Sequence, residues 1–272
     1  MKYTKISIKA ENKNYKNPFF LGSQLRGSFG HSLKNITCIN PSFSCDGCFA
    51  STSCIYHELF EKKNEYHKFR FDFRLAQKEL AFSLFLFDDM TLKLPYIIAS
   101  IDFLLKKQGL SKEKITFKHY EMSINAQNEI INDTIKIPKE IIKSFQVESF
   151  SSKVILRLVT PLRIKKNNRF LKDTIELSDI TNSIQKRKGA IFDDTFEPKT
   201  PAGTITKQNI RFIELTRYSN RQKTAMNLGG LVGEIEIEGL DEATYTLLKI
   251  GELIGVGKSS VFGLGKIEVV DL

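Results

Sequence analysis

Apolar and polar residues alternate at the start of the chain, where Ile6 and Ile8 stand between polar neighbours as in a half-buried strand. From Gly22 to Asn35 the period changes. Leu25, Phe29 and Leu33 recur every four residues and predict a helix with one apolar stripe. A cysteine-bearing loop, Cys38 to Cys54, comes next. Phe69, Phe71 and Phe73 then alternate as a strand, and Leu80 to Phe87 is apolar enough for a strand buried on both faces. Pro95 to Gln108 predicts a helix with its proline near the start, where a missing N–H costs nothing. Ile115 to Ile124 predicts a further strand.

The second half repeats this order. Val154 to Ile164 alternates as a strand, and Leu177 to Lys188 predicts a helix opened by Ser178. Ile210 to Tyr218 and Gly229 to Glu238 come next as strands, then a helix Asp241 to Ile254 and a closing strand Lys266 to Val270. Strand, helix, two strands, helix, strand is the βαββαβ order of ferredoxin-like domains. The pattern therefore predicts an α+β chain of two tandem ferredoxin-like (RRM-like) domains. They cover residues 1–150 and 151–272, with a linker around Glu148 to Ser152. The length of 272 residues agrees with two domains.

Charge narrows the function. The chain carries a formal +10, and Lys153 to Lys223 holds sixteen basic against seven acidic residues, a surplus of nine. So local a field points to a polyanion, whose bound counterions are released when lysines and arginines neutralise phosphates. No apolar run approaches the ~18 residues that span a bilayer, and the charged N-terminus does not resemble a signal peptide. A cytoplasmic protein without a membrane partner is expected.

Residues 255–265 read Gly-Val-Gly-Lys-Ser-Ser-Val-Phe-Gly-Leu-Gly, between the last predicted helix and strand. Glycines admit positive φ and close backbone approach, and successive free N–H groups cradle phosphates. The Gly-Lys-Ser tripeptide is not a P-loop. That motif needs a glycine where Glu252 stands, and it joins a strand to a helix rather than a helix to a strand. The segments Arg217-Tyr-Ser-Asn-Arg-Gln-Lys-Thr and Leu228-Gly-Gly-Leu-Val-Gly-Glu, together with this glycine loop, resemble the C-terminal signatures of the CRISPR-associated precursor-RNA endoribonucleases of the RAMP superfamily. Val159-Thr-Pro-Leu-Arg163 and Leu25-Arg-Gly-Ser-Phe-Gly-His31 resemble the opening elements of that family's two domains. The resemblance implies a protein that binds precursor crRNA at its CRISPR repeat. It also implies metal-independent cleavage by the 2′-OH, leaving a 2′,3′-cyclic phosphate and a 5′-OH; DNA lacks that nucleophile. RNA contacts are expected from Arg163, Lys165, Lys166, Arg217, Arg221, Lys223 and Lys258, and from Gly255, Gly257, Gly263 and Gly265. Other CRISPR effector subunits are further candidate partners. The oligomeric state is left open.

Such a cut needs a base for the 2′-OH, an acid for the leaving 5′-oxygen and cations for the phosphorane. Among the four histidines, His31 falls roughly 160° and Lys34 roughly 140° from the helix's apolar stripe, at 100° per residue. The resemblance implies a catalytic histidine in or just after this region. His31 is therefore the candidate acid or base, Lys34 its phosphate partner, and His57 the runner-up. His67 and His119 are expected to be packing or surface residues.

Cys38, Cys45, Cys48 and Cys54 are the only cysteines and lie within 17 residues, spaced C-x6-C-x2-C-x5-C. Four thiolates with a central C-x2-C suit tetrahedral zinc, with a four-iron iron–sulfur cluster as the alternative. Four protein ligands leave no open position, so the metal is expected to be structural. Two further readings stay open: a non-catalytic RAMP subunit that holds crRNA in an effector complex, and a zinc-dependent DNA-binding protein.

Overall fold

The computed structural model describes residues 1–272 apart from 63–64, 129, 132–133, 136–137, 196–199 and 220–223. It divides into two compact units, Met1–Ser144 and Phe145–Leu272. No helix among the described residues is long and apolar enough to cross a membrane.

In the first unit β1 (Lys2–Ala10) leads to α1 (Gly22–Thr37), β2 (Phe69–Asp72), β3 (Leu80–Phe87), α2 (Leu94–Phe103) and β4 (Tyr120–Ile124). The strands pair antiparallel in the order β2-β3-β1-β4. The register puts Ile6 opposite Leu84 and Ile124, and Ile8 opposite Phe82 and Met122. The alternation of β1 thus aligns one apolar layer across three strands, and all six of these side chains are buried. Leu25, Phe29 and Leu33 of α1 and Ile97, Ile98 and Ile101 of α2 bury the helical side of this core. The helices are tied by the Ser32 hydroxyl, which donates to the Ser100 carbonyl.

The second unit repeats this path with β5 (Lys153–Leu162), α3 (Leu177–Phe192), β6 (Thr204–Ile213), β7 (Gly230–Glu238), α4 (Glu242–Ile254) and β8 (Ile267–Asp271). Its order, β6-β7-β5-β8, is the order of the first sheet. α3 opens with a capping box in which Glu176 and Asp179 bond each other's backbone N–H, and Asp241 caps α4 through Thr244 N at 2.7 Å.

Four elements depart from the sequence expectation. The strand expected from Ile115 begins only at Tyr120, because Phe117 N donates to the Leu105 carbonyl and its ring is buried. α2 loosens at Leu104–Gln108 into a π-type turn that ends at Gly109 with φ +76°. α3 opens at Glu176 rather than at Ser178. The strand expected over Ile210 to Tyr218 is two elements: β6 begins at Thr204, and Thr216–Ser219 pairs instead with Thr224–Asn227 in a separate ribbon. The β6 start, Thr-Ile-Thr-Lys-Gln-Asn, lies on a sheet edge mostly wet on both faces, so no alternation marks it.

Candidate functional site

His31 lies on the exposed side of α1, away from the buried stripe. Its backbone carbonyl accepts from Asn35 Nδ2 at 2.9 Å. Gly27 stands one turn earlier on the same exposed side, and a Cβ there would meet nothing within 4 Å. Gly30 is the opposite case. It is buried, and a Cβ would come 2.7 Å from the Phe60 ring. One helix glycine therefore serves packing, and the other leaves backbone open beside His31.

Lys34, near the end of the same helix, turns into the cysteine loop. Its Nζ stands 4.9 Å from the centre of the Phe43 ring and 5.0 Å from that of Tyr56, a cation–π pair. It also lies against Cys45. Burial pushes the Cys45 thiol up from its ordinary value, and the Lys34 ammonium opposes that shift. Lys34 is thus engaged in the loop, whereas His31 takes no part in lining it. His57 opens a π-type turn, His57–Glu61, and is half-buried. His67 packs 6.0 Å from Phe69, and His119 is exposed.

A cavity of about 100 Å³ is lined by Cys38, Cys45, Cys48 and Cys54 together with Lys34 and His57. The four thiols are free of disulfides and half-buried. Among the described residues, no three His, Cys, Asp or Glu side chains are gathered closely enough to hold a metal ion. The four sulfurs line one cavity, but the metal site expected at Cys38, Cys45, Cys48 and Cys54 is not assembled in this structure.

In the second unit the glycine loop is woven into the fold. Gly255 ends α4 and donates to the Gly251 carbonyl at 2.8 Å. Val256 N donates to Gly265 O at 2.9 Å, Gly265 N to Pro161 O at 3.0 Å, and Gly257 N to Ser183 Oγ at 2.9 Å. Gly263 O accepts from Thr160 Oγ1 at 2.8 Å. A Cβ on Gly265 would fall 1.7 Å from Val256 O, and one on Gly257 would fall 2.6 Å from Arg163 O. The phosphate cradle expected at Gly255, Gly257, Gly263 and Gly265 is corrected accordingly. Their conformations let the loop cross β5 at contact distance, and most of the loop's N–H groups are spent inside the unit. Lys258 remains exposed on the loop.

Arg163 is corrected too. It is only 7% exposed; its Nη1 donates to Gly229 O at 2.7 Å, and its guanidinium lies 4.3 Å from the Phe170 ring centre. Burial pulls the guanidinium down from its ordinary value, with Glu214 opposing. Its carbonyl takes the Lys258 N–H at 2.8 Å. Arg163 is a clamp of the glycine loop, not a surface contact. Arg217 is half-buried, 4.4 Å from the Phe262 ring centre, with burial lowering its pKa. Lys166 is exposed but paired with Glu176 at 3.0 Å and Asp179 at 3.5 Å. Arg221 and Lys223 lie outside the described residues.

Sequence reasoning singles out Lys165 and Lys166 but passes over Asn167, Asn168 and Arg169. Lys165–Lys166 pairs with Arg169–Phe170 around the two asparagines, a tight hairpin with residues 165–169 all exposed. The available signal was the Asn-Asn pair between two short charged segments, a two-residue turn that tolerates positive φ.

Two mixed α/β units with matching antiparallel sheets, one bearing a cationic hairpin beside an ordered glycine loop, define a duplicated fold suited to a polyanionic ligand. Residues 1–144 match the family model AF_1859_N, described as an N-terminal domain, and residues 156–267 match that of the CRISPR-associated endoribonuclease Cas6. An uncharacterised protein of Archaeoglobus fulgidus is 24% identical over 294 residues, covering 97% of this chain and 96% of its own. Among solved structures, a product complex of Thermus thermophilus Cas6 (TTHB231) is similar with a TM-score of 0.59 at 15% identity, covering 98% of this chain and 99% of its own. A structure described as a RAMP protein binding different RNA substrates reaches 0.51 at 11% identity over the whole of both chains. The chain belongs to the family of that N-terminal domain, and its second unit matches the family of CRISPR-associated Cas6 endoribonucleases.

Proposed function

We propose that this chain is an endoribonuclease that cuts precursor crRNA at the CRISPR repeat in the cytoplasm, using two tandem ferredoxin-like domains and no catalytic metal. The observation that carries the catalytic assignment is His31, exposed beside the open backbone of Gly27 on the face of α1 opposite its buried stripe. An imidazole there takes the 2′-OH proton or returns one to the departing 5′-oxygen. Attack by the 2′-oxygen closes a 2′,3′-cyclic phosphate and frees a 5′-OH. Arginine and lysine side chains of the second unit, Lys165 and Lys258 among them, hold the RNA backbone. Lys34 supports the helix end through the cysteine loop instead of touching phosphate.

Cys38, Cys45, Cys48 and Cys54 would hold zinc, or a four-iron cluster. When bound, the metal supplies structural cross-linking to a loop with little core of its own. The residues of α1 carry the proton transfer.

Labelled repeat RNA incubated briefly with the protein in EDTA tests this. The expected result is one cut ending in a cyclic phosphate, lost in His31→Ala while repeat binding remains. Undiminished cutting by His31→Ala removes His31 from the mechanism and passes the role to His57. Binding without any cut assigns the chain to guide-RNA holding within an effector complex, and a preference for DNA rejects the reading altogether.

A further inference from the structure

Several cations of the second unit are matched by carboxylates. Lys153 pairs with Glu238, Arg157 with Glu234, Lys188 with Asp194, Lys207 with Glu236 and Lys249 with Glu252. Among the described residues Lys172 and Arg211 meet no carboxylate, and nor do Lys165 and Arg169. The latter two belong to the hairpin at 165–170.

This hairpin is costly. Asn167 and Asn168 both have left-handed backbones, with φ of +51° and +61°, the geometry of a two-residue type I′ turn. Glycine holds the second such position without strain, whereas a side chain there costs free energy. Lys166 stands directly opposite Arg169, and like charges across a strand pair are unfavourable. Two residue pairs do not hold a ribbon in water unaided. What holds it is its base: Phe170 lies under the Arg163 guanidinium at 4.3 Å and the Lys165 ammonium at 5.1 Å, Leu171 N donates to Ile164 O at 3.0 Å, and Glu176 and Asp179 hold Lys166.

The amides at the tip are also unspent. Asn12, Asn17, Asn35, Asn40, Asn125 and Asn227 each donate their side-chain NH₂ to a protein acceptor. Among the described residues Asn14, Asn182 and Asn209 donate to none, and nor do Asn167 and Asn168, which stand exposed side by side at the turn. A rigidly based finger with two adjacent carboxamides at its tip, flanked by two unneutralised cations, is arranged to meet polar base edges between phosphates.

We propose that the hairpin Lys165–Phe170 is a base-reading finger, in which Asn167 and Asn168 bond the edges of unpaired RNA bases while Lys165 and Arg169 hold the flanking phosphates. A carboxamide offers a donor and an acceptor side by side, the pairing that distinguishes one base from another; a lysine on a phosphate does not distinguish them. Unpaired bases are the target because the deep, narrow major groove of duplex RNA excludes side chains. The proposal rests on the chain being an RNA binder.

The test compares binding of the repeat RNA with that of single-base variants of the same repeat, for the full chain and two double variants. N167G/N168G keeps the turn, since glycine favours both conformations, and removes only the amides. Its discrimination is expected to fall about 5-fold or more at one or two positions, as loss of a base-specific pair predicts, with binding of the variant repeats nearly unchanged. K165A/R169A should weaken every RNA alike and flatten the log–log salt slope by about 1.4 for two single-strand phosphate contacts. Full discrimination retained by N167G/N168G overturns the proposal, as does an equal loss for all sequences. A wild-type chain that binds no RNA overturns the functional reading and this one with it, whereas wild-type binding with an indifferent finger overturns this one alone.

Discussion

Two glycines three residues apart on α1 make opposite predictions when each is replaced by alanine. Relieving glycine inside a helix is worth about 0.8–1 kcal/mol. At Gly27 the added methyl meets nothing within 4 Å, so Gly27→Ala should stabilise the first unit by nearly that amount. At Gly30 the methyl would lie 2.7 Å from Cε1, 3.0 Å from Cδ1 and 3.2 Å from Cζ of Phe60. That ring cannot swing away cheaply. It is stacked on Tyr56 at 5.4 Å, packed at 6.0 Å against both Phe29 and Phe69, and covered by the Arg26 guanidinium at 4.8 Å. Overpacking of this kind costs about 1–3 kcal/mol, which outweighs the propensity gain. The two variants should therefore differ by about 1–3 kcal/mol in urea unfolding followed by circular dichroism, with Gly27→Ala the more stable. The functional order is reversed for Gly27, because a methyl beside His31 obstructs an RNA backbone that approaches the helix closely. Gly27→Ala should cut more slowly than wild type despite its added stability. Wild-type cleavage by Gly27→Ala refutes the close approach, and equal stability of the two variants refutes the fixed Phe60.

Arg163→Ala removes a charge-assisted hydrogen bond worth about 1.5–3 kcal/mol, along with the cation–π contact to Phe170. The second unit should unfold at lower urea, and amide exchange at Lys258 should accelerate as its acceptor carbonyl loosens. Asp88 is held below the ordinary carboxylate range chiefly by its hydrogen bond from Lys68 at 2.8 Å. A depressed carboxyl stabilises the fold above its unfolded pKa, near 4, and that contribution disappears as pH falls through the folded value. Asp88→Asn should therefore lower stability at pH 7 by less than about 1 kcal/mol, since the pair is partly exposed, and leave it nearly unchanged at pH 2; an equal loss at both pH values refutes the linkage. Cys48→Ser should reduce zinc per chain in elemental analysis and destabilise the first unit. A brown wild-type protein with broad visible absorbance would replace zinc by an iron–sulfur cluster.

Local pattern determined the helices and most of the strands. The stripe Leu25, Phe29, Leu33 and the alternation at Ile6 and Ile8 are periodic because each faces a single core, and a period shows in one dimension. The concentration of basic residues after Lys153 and the clustering of four cysteines were equally visible, since both are facts of composition. The start of β6 was not, because an edge strand wet on both faces has no apolar period to display. Nor could periodicity separate Gly27 from Gly30; only the Phe60 ring, brought in from thirty residues away, does so. The glycine loop shows the difference most clearly. Its residue types announced positive φ and close approach, but the partner approached was decided in three dimensions, where Gly251, Pro161, Ser183 and Arg163 accept its amides. Which cations remain available to a polyanion was likewise a tertiary matter: a charge is cancelled by whatever carboxylate the fold carries within a few ångströms, and Lys166 met one where Lys165 and Arg169 did not.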